Sequence, residues 1–201
     1  MAVTKFCIFI FAVLILTSHA QAEIIVTASG TNTFVSDEFF FVEVDSLPNG
    51  LTVDQISIDL QGGTDPDDVW DTNQPGGNAP WGFVNGTGIN SGDVTFGPAP
   101  GAPFPHGSVL DIFFAAGTFG EGDSFSFVFD TDFTITDGDE FGEFGVTVDL
   151  LLSDGRSIST AFVNDGIFND TSAATFAIPE PAQTSLLALA VIGFLMRRRR
   201  S

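Results

Sequence analysis

The chain has 201 residues, of which 26 are acidic and six are basic, giving a formal net charge of −20. A charge this negative excludes nucleic acid and anionic lipid surfaces as partners, because like charges repel. The length suits one domain of ordinary size between two terminal segments.

The first 22 residues have the organisation of a secretory signal peptide. Lys5 supplies the positive charge of the short n-region. The apolar run 6–16 has 11 residues, too few to span a bilayer. Ala20 and Ala22 form an A-x-A motif, so we predict cleavage by signal peptidase between residue 22 and Glu23.

The mature body, residues 23–177, is predicted to be one ectodomain. It holds 25 acidic residues and one basic residue, Arg156, a formal charge of −24. Cys7 lies in the signal, so the body has no cysteine, and its one histidine is His106. Zinc sites built from His or Cys are excluded, and no Gly-x-Ser-x-Gly elbow is present. We therefore predict that the protein is not an enzyme.

The body is rich in residues that favour strands, including 19 phenylalanines. Apolar and polar side chains alternate with period two, which is typical of half-buried strands. Several antiparallel strands with one apolar face each need a second sheet to cover them. The predicted fold class is therefore all-β, an antiparallel β-sandwich or jelly-roll-like body. The predicted strands lie at residues 24–28, 39–44, 51–60, 108–114, 124–130, 146–153 and 158–162.

Two local features can be predicted in more detail. The apolar face of segment 51–60 shifts by one residue near Asp54, which indicates a β-bulge. Segment 153–155 is predicted to be a hairpin loop. A two-residue loop would place apolar opposite polar side chains. A three-residue loop with Gly155 in the left-handed region instead pairs Leu150 with Ile158 and Val146 with Phe162, so we favour it.

Residues 61–107 form a Gly/Pro-rich region with 11 glycines and seven prolines. A connection this long in a compact domain is usually functional or mobile. Short strands are predicted within it at 82–84 and 94–96. It also holds Trp70 and Trp81, which either form a platform for stacking sugars or fill the core beneath the loop.

Two acidic clusters are candidate Ca²⁺ sites, because Ca²⁺ prefers several carboxylate and carbonyl oxygens on loops. Neither cluster matches an EF-hand loop, so solvated acidic loops are the alternative. Catalytic carboxylate pairs cannot be singled out among 25 acidic residues. The first cluster is Asp130, Asp132, Asp137, Asp139 and Glu140, and the second is Asp65, Asp67, Asp68 and Asp71.

The C-terminal segment 178–201 has three parts. Pro179-Glu180-Pro181 is held extended, since proline fixes φ and lacks an N–H. Residues 182–196 are 15 uncharged residues, about 22 Å of helix against a bilayer core of about 30 Å. The basic residues that follow would hold this short transmembrane helix with its end in the cytoplasm. They are Arg197, Arg198, Arg199 and Arg200.

This ordered combination resembles the PEP-CTERM sorting domain of exported bacterial proteins. The resemblance implies recognition by an exosortase-type membrane transpeptidase and cleavage near Pro179-Glu180-Pro181. It further implies export across the inner membrane, a transient single-pass anchor, and delivery to the cell envelope, the cell surface or extracellular polymer. Such proteins are often associated with exopolysaccharide.

We therefore expect an exported surface or matrix protein with a structural or exopolysaccharide-associated role. Its expected partners are signal peptidase, the exosortase and extracellular polysaccharide. Ca²⁺ is the one candidate cofactor. The alternative is a calcium- or carbohydrate-binding module, and a secreted glycoside hydrolase ranks third.

Overall fold

A computed structural model describes part of the chain, and all of the described residues lie in one compact unit, Ala22–Ile178. The predicted signal helix and the predicted C-terminal helix lie outside the described residues. The described ranges are 22–30, 39–48, 50–60, 69–71, 82–97, 108–132, 138, 140–164 and 171–178.

Strands dominate the described part of the chain, with one 3₁₀ turn at Ser91–Asp93 and one short helix, α1, at Glu140–Glu143. The strands are β1 (Ala22–Ser29), β2 (Phe40–Ser46), β3 (Val53–Asp59), β4 (Val69–Asp71), β5 (Gly82–Thr87), β6 (Val94–Phe96), β7 (Val109–Phe114), β8 (Ser124–Val128), β9 (Asp130–Asp132), β10 (Thr147–Leu152), β11 (Ser157–Ala161), β12 (Val163–Asn164) and β13 (Thr171–Ile178).

The strands form two large antiparallel sheets, which confirms the all-β prediction. The six-stranded sheet has the order β12-β13-β1-β2-β8-β5, and the five-stranded sheet has the order β11-β10-β3-β7-β6. Strands β4 and β9 form a separate two-stranded ribbon. Aromatic contacts join the two large sheets: Phe114 of β7 lies 5.6 Å from Phe125 of β8, between ring centroids.

Alternation places one face of each sheet in the shared core. On β1, Ile24, Val26 and Ala28 are fully buried, while the residues between them are half-buried. Phenylalanine fills much of the remaining space. Phe40 of β2 stacks on Phe127 of β8 with 4.8 Å between ring centroids. Burying one such ring contributes about 1.5–3 kcal/mol, so the core of a body rich in phenylalanine can be stable without disulfides.

The predicted bulge and hairpin are both confirmed. Leu151 pairs with Gln55 and Leu152 with Val53, so Asp54 is the extra residue on β3. In the hairpin Leu150 pairs with Ile158. The loop has three residues, 153–155, and Gly155 has a φ of +84°. The N–H of Phe162 also donates to the carbonyl of Val146 at 2.8 Å, as the three-residue loop requires.

The Gly/Pro-rich region 61–107 contains more structure than the sequence pattern predicts. Strand β6 lies where it is predicted, but β5 extends to Thr87 and β4 is an additional strand. A register shift between Phe83 and Asn85 breaks the period-two pattern of β5. Strand β4 has three residues, which is too short for a period to be recognised.

The short loops of the described chain gather at one end of the sandwich. There the N–H of Val53 donates to the carbonyl of Phe119, and the N–H of Ser153 donates to the carbonyl of Thr52. The register of β1 and β13 places Ala22 and Ile178 at this same end. Ser29, Val109 and Thr171 lie at the opposite end of the sandwich.

Candidate functional site

The chain enters and leaves the body on neighbouring strands. β1 and β13 pair in antiparallel register over their whole length, from Ala22 opposite Ile178 to Ser29 opposite Thr171. Ala22 is 3% exposed and Ile178 is fully buried. The compact unit therefore includes one residue more at each end than the predicted body 23–177, because both residues are paired and buried.

Proline explains why β13 ends at Ile178. Pro179 has no N–H to donate to a strand ladder, and it restricts the preceding residue to extended conformations. Ile178 satisfies that restriction as the last residue of the strand. No spacer separates the last paired residue of the body from Pro179-Glu180-Pro181.

The tail that follows β13 matches a known family. Residues 177–200 match the family model of the PEP-CTERM protein-sorting motif. The chain carries a PEP-CTERM sorting motif. The match confirms the resemblance, and the motif implies export and a membrane-anchored C-terminal sorting signal. No curated protein and no solved structure gives a significant match to the chain.

The PEP-CTERM motif overlaps the folded body. Its first two matched residues, Ala177 and Ile178, are the last two residues of β13, where they pair with Glu23 and Ala22. The family match shows where the sorting motif lies and leaves the activity of the body open, since it covers only residues 177–200.

The predicted sorting residues fall mainly outside the described part of the chain. The residues from Pro179 onward lie within the PEP-CTERM motif and Ala20 lies outside it. The individual role of each residue stays a prediction. Across the residues that the structure describes, no helix has both the length and the apolar character needed to cross a membrane. The residues outside are Ala20, Pro179, Glu180, Pro181, Arg197, Arg198, Arg199 and Arg200.

Ala22 is the one predicted processing residue that the structure places. It is the first residue of β1 and pairs with Ile178. A protease binds its substrate as an accessible extended chain, and a paired, buried residue does not offer one. We therefore expect signal peptidase to act before β1 and β13 have paired.

The short β4–β9 ribbon pairs one residue of each acidic cluster. Asp71 of one cluster is the register partner of Asp130 of the other, and Val69 is the partner of Asp132. The sequence pattern does not reveal this pairing, because the two clusters are about sixty residues apart.

Calcium binding at these clusters stays a prediction. Glu140 begins α1, and Asp137 and Asp139 lie outside the described residues. Within the ranges that the structure describes, no three acidic, histidine or cysteine residues are grouped as a metal site would require.

Trp70 belongs to the core and not to a sugar-binding platform. Its side chain is fully buried, and its Nε1–H donates to the carbonyl oxygen of Ser108 at 2.9 Å. Its ring lies 5.5 Å from Phe40 and 6.5 Å from Phe141. The sugar-stacking interpretation is therefore wrong for Trp70. Trp81 and His106 lie outside the described residues.

The outer face of the six-stranded sheet carries a group of side chains that the sequence analysis does not single out. Register places Phe41 beside Ser126, and Ser126 beside Asn85, in one row across β2, β8 and β5. A second row contains Glu43, Ser124 and Thr87. All of these residues except Glu43 line an open depression of about 80 Å³.

Proposed function

We propose that the protein is a non-catalytic component of the cell surface or extracellular matrix that associates with exopolysaccharide. Signal peptidase removes residues 1–22. The C-terminal tail then holds the protein in the inner membrane until an exosortase-type transpeptidase cuts near Pro179-Glu180-Pro181 and releases the body. The final location is the cell envelope or the extracellular polymer.

One observation carries this proposal: a PEP-CTERM motif begins on the last two residues of β13, the final strand of the sandwich. Cleavage at or after Pro179 would leave β13 whole, and the pairs from Glu23–Ala177 to Ser29–Thr171 would stay intact after the signal peptide is removed. The body would then be released without losing any residue of its last strand.

The non-catalytic role rests on the chemistry that the sequence supplies. The mature body has no cysteine and one histidine, so few nucleophilic or metal-dependent mechanisms could operate. A glycoside hydrolase remains the enzymatic alternative, and it would lose its activity on substitution of one particular carboxylate.

Fractionation of cells that produce the protein tests the sorting and the matrix association together. We expect the intact chain to yield a body in the surface polysaccharide fraction. A variant with Pro179, Glu180 and Pro181 replaced by alanine should stay in the inner membrane. A body found only in the medium, free of polysaccharide, would contradict the matrix role and leave sorting intact. Equal surface delivery of both forms would contradict sorting through this motif.

A further inference from the structure

We propose that the depression on the outer face of β2, β8 and β5 binds a neutral sugar unit of an extracellular polysaccharide. We call this depression the outer trough, and the outward side chains that line it are those of Phe41, Asn85, Thr87, Ser124 and Ser126. This inference rests on the proposed function, because it assigns to one surface the association with polysaccharide.

The strand order determines the shape of the trough. β8 lies between β2 and β5, so its outward serines form the floor and the side chains of its two neighbours form the walls. Ser126 is only 4% exposed at the floor, between Phe41 on one side and Asn85 on the other. The two walls are two strand spacings apart, about 9.5 Å between backbones, which leaves room for one sugar ring.

An exposed aromatic ring forms one wall. Phe41 is 39% exposed, although the inward positions on either side of it, Phe40 and Val42, are fully buried. The exposed part of this ring gains nothing from folding. It offers instead a flat apolar surface on which the C–H groups of a sugar ring can pack.

Hydrogen-bonding groups complete the trough. Ser124, Ser126 and Thr87 supply hydroxyls that can donate and accept, and Asn85 supplies an amide. A sugar ring presents hydroxyls around its edge and C–H groups on its face, which matches polar groups beside one aromatic wall. The amide oxygen of Asn85 accepts a hydrogen bond from the N–H of Gly86 at 2.9 Å, which orients its NH₂ group.

The lining of the trough carries no charged side chain, which matches a neutral sugar. Glu43 lies just outside the lining, in register with Ser124, and the mature body carries a formal charge of −24. A uronic acid or a sulfated sugar would be repelled both locally and by the whole body. Because the trough is small and open, it would hold one unit of a chain that lies across the sheet, rather than enclose a free ligand.

Affinity electrophoresis of the exported protein, produced from its full-length gene, tests the proposal. The probes are dextran, galactomannan and a soluble β-glucan, with alginate as the anionic comparison. We expect retardation by at least one neutral probe and none by alginate. Phe41→Ala should weaken the apparent affinity about five- to tenfold, Asn85→Ala should also weaken it, and Phe41→Trp should preserve it.

Val163→Ala is the matched control, because Val163 is an apolar residue 64% exposed on β12, at the far edge of the same sheet. It should leave retardation unchanged. The melting temperature of each variant, measured in parallel, identifies any loss of folded protein. Binding that survives both Phe41→Ala and Asn85→Ala would overturn the trough assignment while leaving the matrix role in place. Failure to bind any neutral probe, or preference for alginate, would also overturn the assignment, whereas tail processing is measured separately.

Discussion

At the scale of single residues, alternation determines which aromatic side chains enter the core. The run Phe39-Phe40-Phe41 is uniformly apolar, so composition cannot separate its members. Alternation with Val42 places Phe40 inward and Phe41 outward, and their exposures are 0% and 39%. Phe39 lies two residues before Phe41, so alternation alone would place it outward as well. It precedes β2, however, and its ring packs against Phe141 with 5.8 Å between ring centroids.

The one basic residue of the body, Arg156, directly follows the hairpin loop and forms an ion pair with Asp154. Arg156 Nε lies 2.7 Å from Asp154 Oδ2, and the two side chains are 34% and 37% exposed. The backbone N–H of Arg156 donates to Oδ1 at 3.1 Å. This backbone hydrogen bond, helped by the guanidinium, lowers the pKa of Asp154 from its ordinary value of 3.8.

The direction of this shift predicts a pH dependence. A carboxyl whose pKa is lower in the folded state stabilises the fold above its unfolded pKa, and the contribution is lost as pH falls through the folded pKa. The free energy of unfolding of the native protein should therefore exceed that of Asp154→Asn by a constant amount from pH 7 to about pH 5. The difference should vanish below the pKa of the folded protein.

Urea unfolding of both proteins at each pH measures this difference, and comparing the two cancels the titration of the other carboxylates. Arg156→Ala should retain part of the effect, since the backbone N–H is still present. A difference that grows as pH falls would contradict the assigned ion pair.

At the scale of elements, the sequence predicts what depends on period and turn chemistry. The bulge at Asp54 follows from the shift in the apolar face of β3, and the hairpin register follows from the side chains that a three-residue loop pairs. The β4–β9 ribbon could not be predicted in this way. Its strands have three residues each and pair across about sixty residues of chain, so neither a local period nor a turn indicates it.

Gly155 gives the hairpin a direct test. Its φ is +84°, and a Cβ placed there would meet no atom within 4 Å. Gly155→Ala therefore changes backbone strain without a clash, and we expect it to lower the free energy of unfolding by about 1–2 kcal/mol.

Gly92→Ala is the matched control, since a Cβ at Gly92 also meets nothing within 4 Å and the residue has no positive φ. It should be neutral or slightly stabilising, because alanine restricts the unfolded chain. If urea unfolding shows that the two substitutions change the free energy of unfolding equally, the left-handed conformation of Gly155 would be contradicted.

At the scale of the whole molecule, the sequence predicts the two-sheet architecture and the sorting tail, but not how the two ends of the body meet. Strand content follows from composition and alternation. The pairing of β1 with β13 joins residues at opposite ends of the chain, and no local pattern indicates such a pairing. The outer trough could not be predicted from the sequence for the same reason, because Phe41, Ser126 and Asn85 become neighbours only through strand order.

Calcium binding is tested best on the folded protein, in which one residue of each acidic cluster pairs across the β4–β9 ribbon. If either cluster binds Ca²⁺, millimolar Ca²⁺ should raise the melting temperature and a chelator should reverse the change. Mg²⁺ at the same concentration is the control for screening of the negative charge. Equal shifts of the melting temperature with Ca²⁺ and Mg²⁺, or no shift at all, would contradict the calcium prediction.

The central prediction for the whole molecule is removal of the sorting tail just beyond the last strand of the sandwich. Intact-mass spectrometry of the protein recovered from the cell surface tests this directly. We predict an N-terminus at Glu23 and a C-terminus close to Pro179-Glu180-Pro181, with the apolar run and the four arginines absent. A surface form that still ends at Ser201 would contradict processing of the tail.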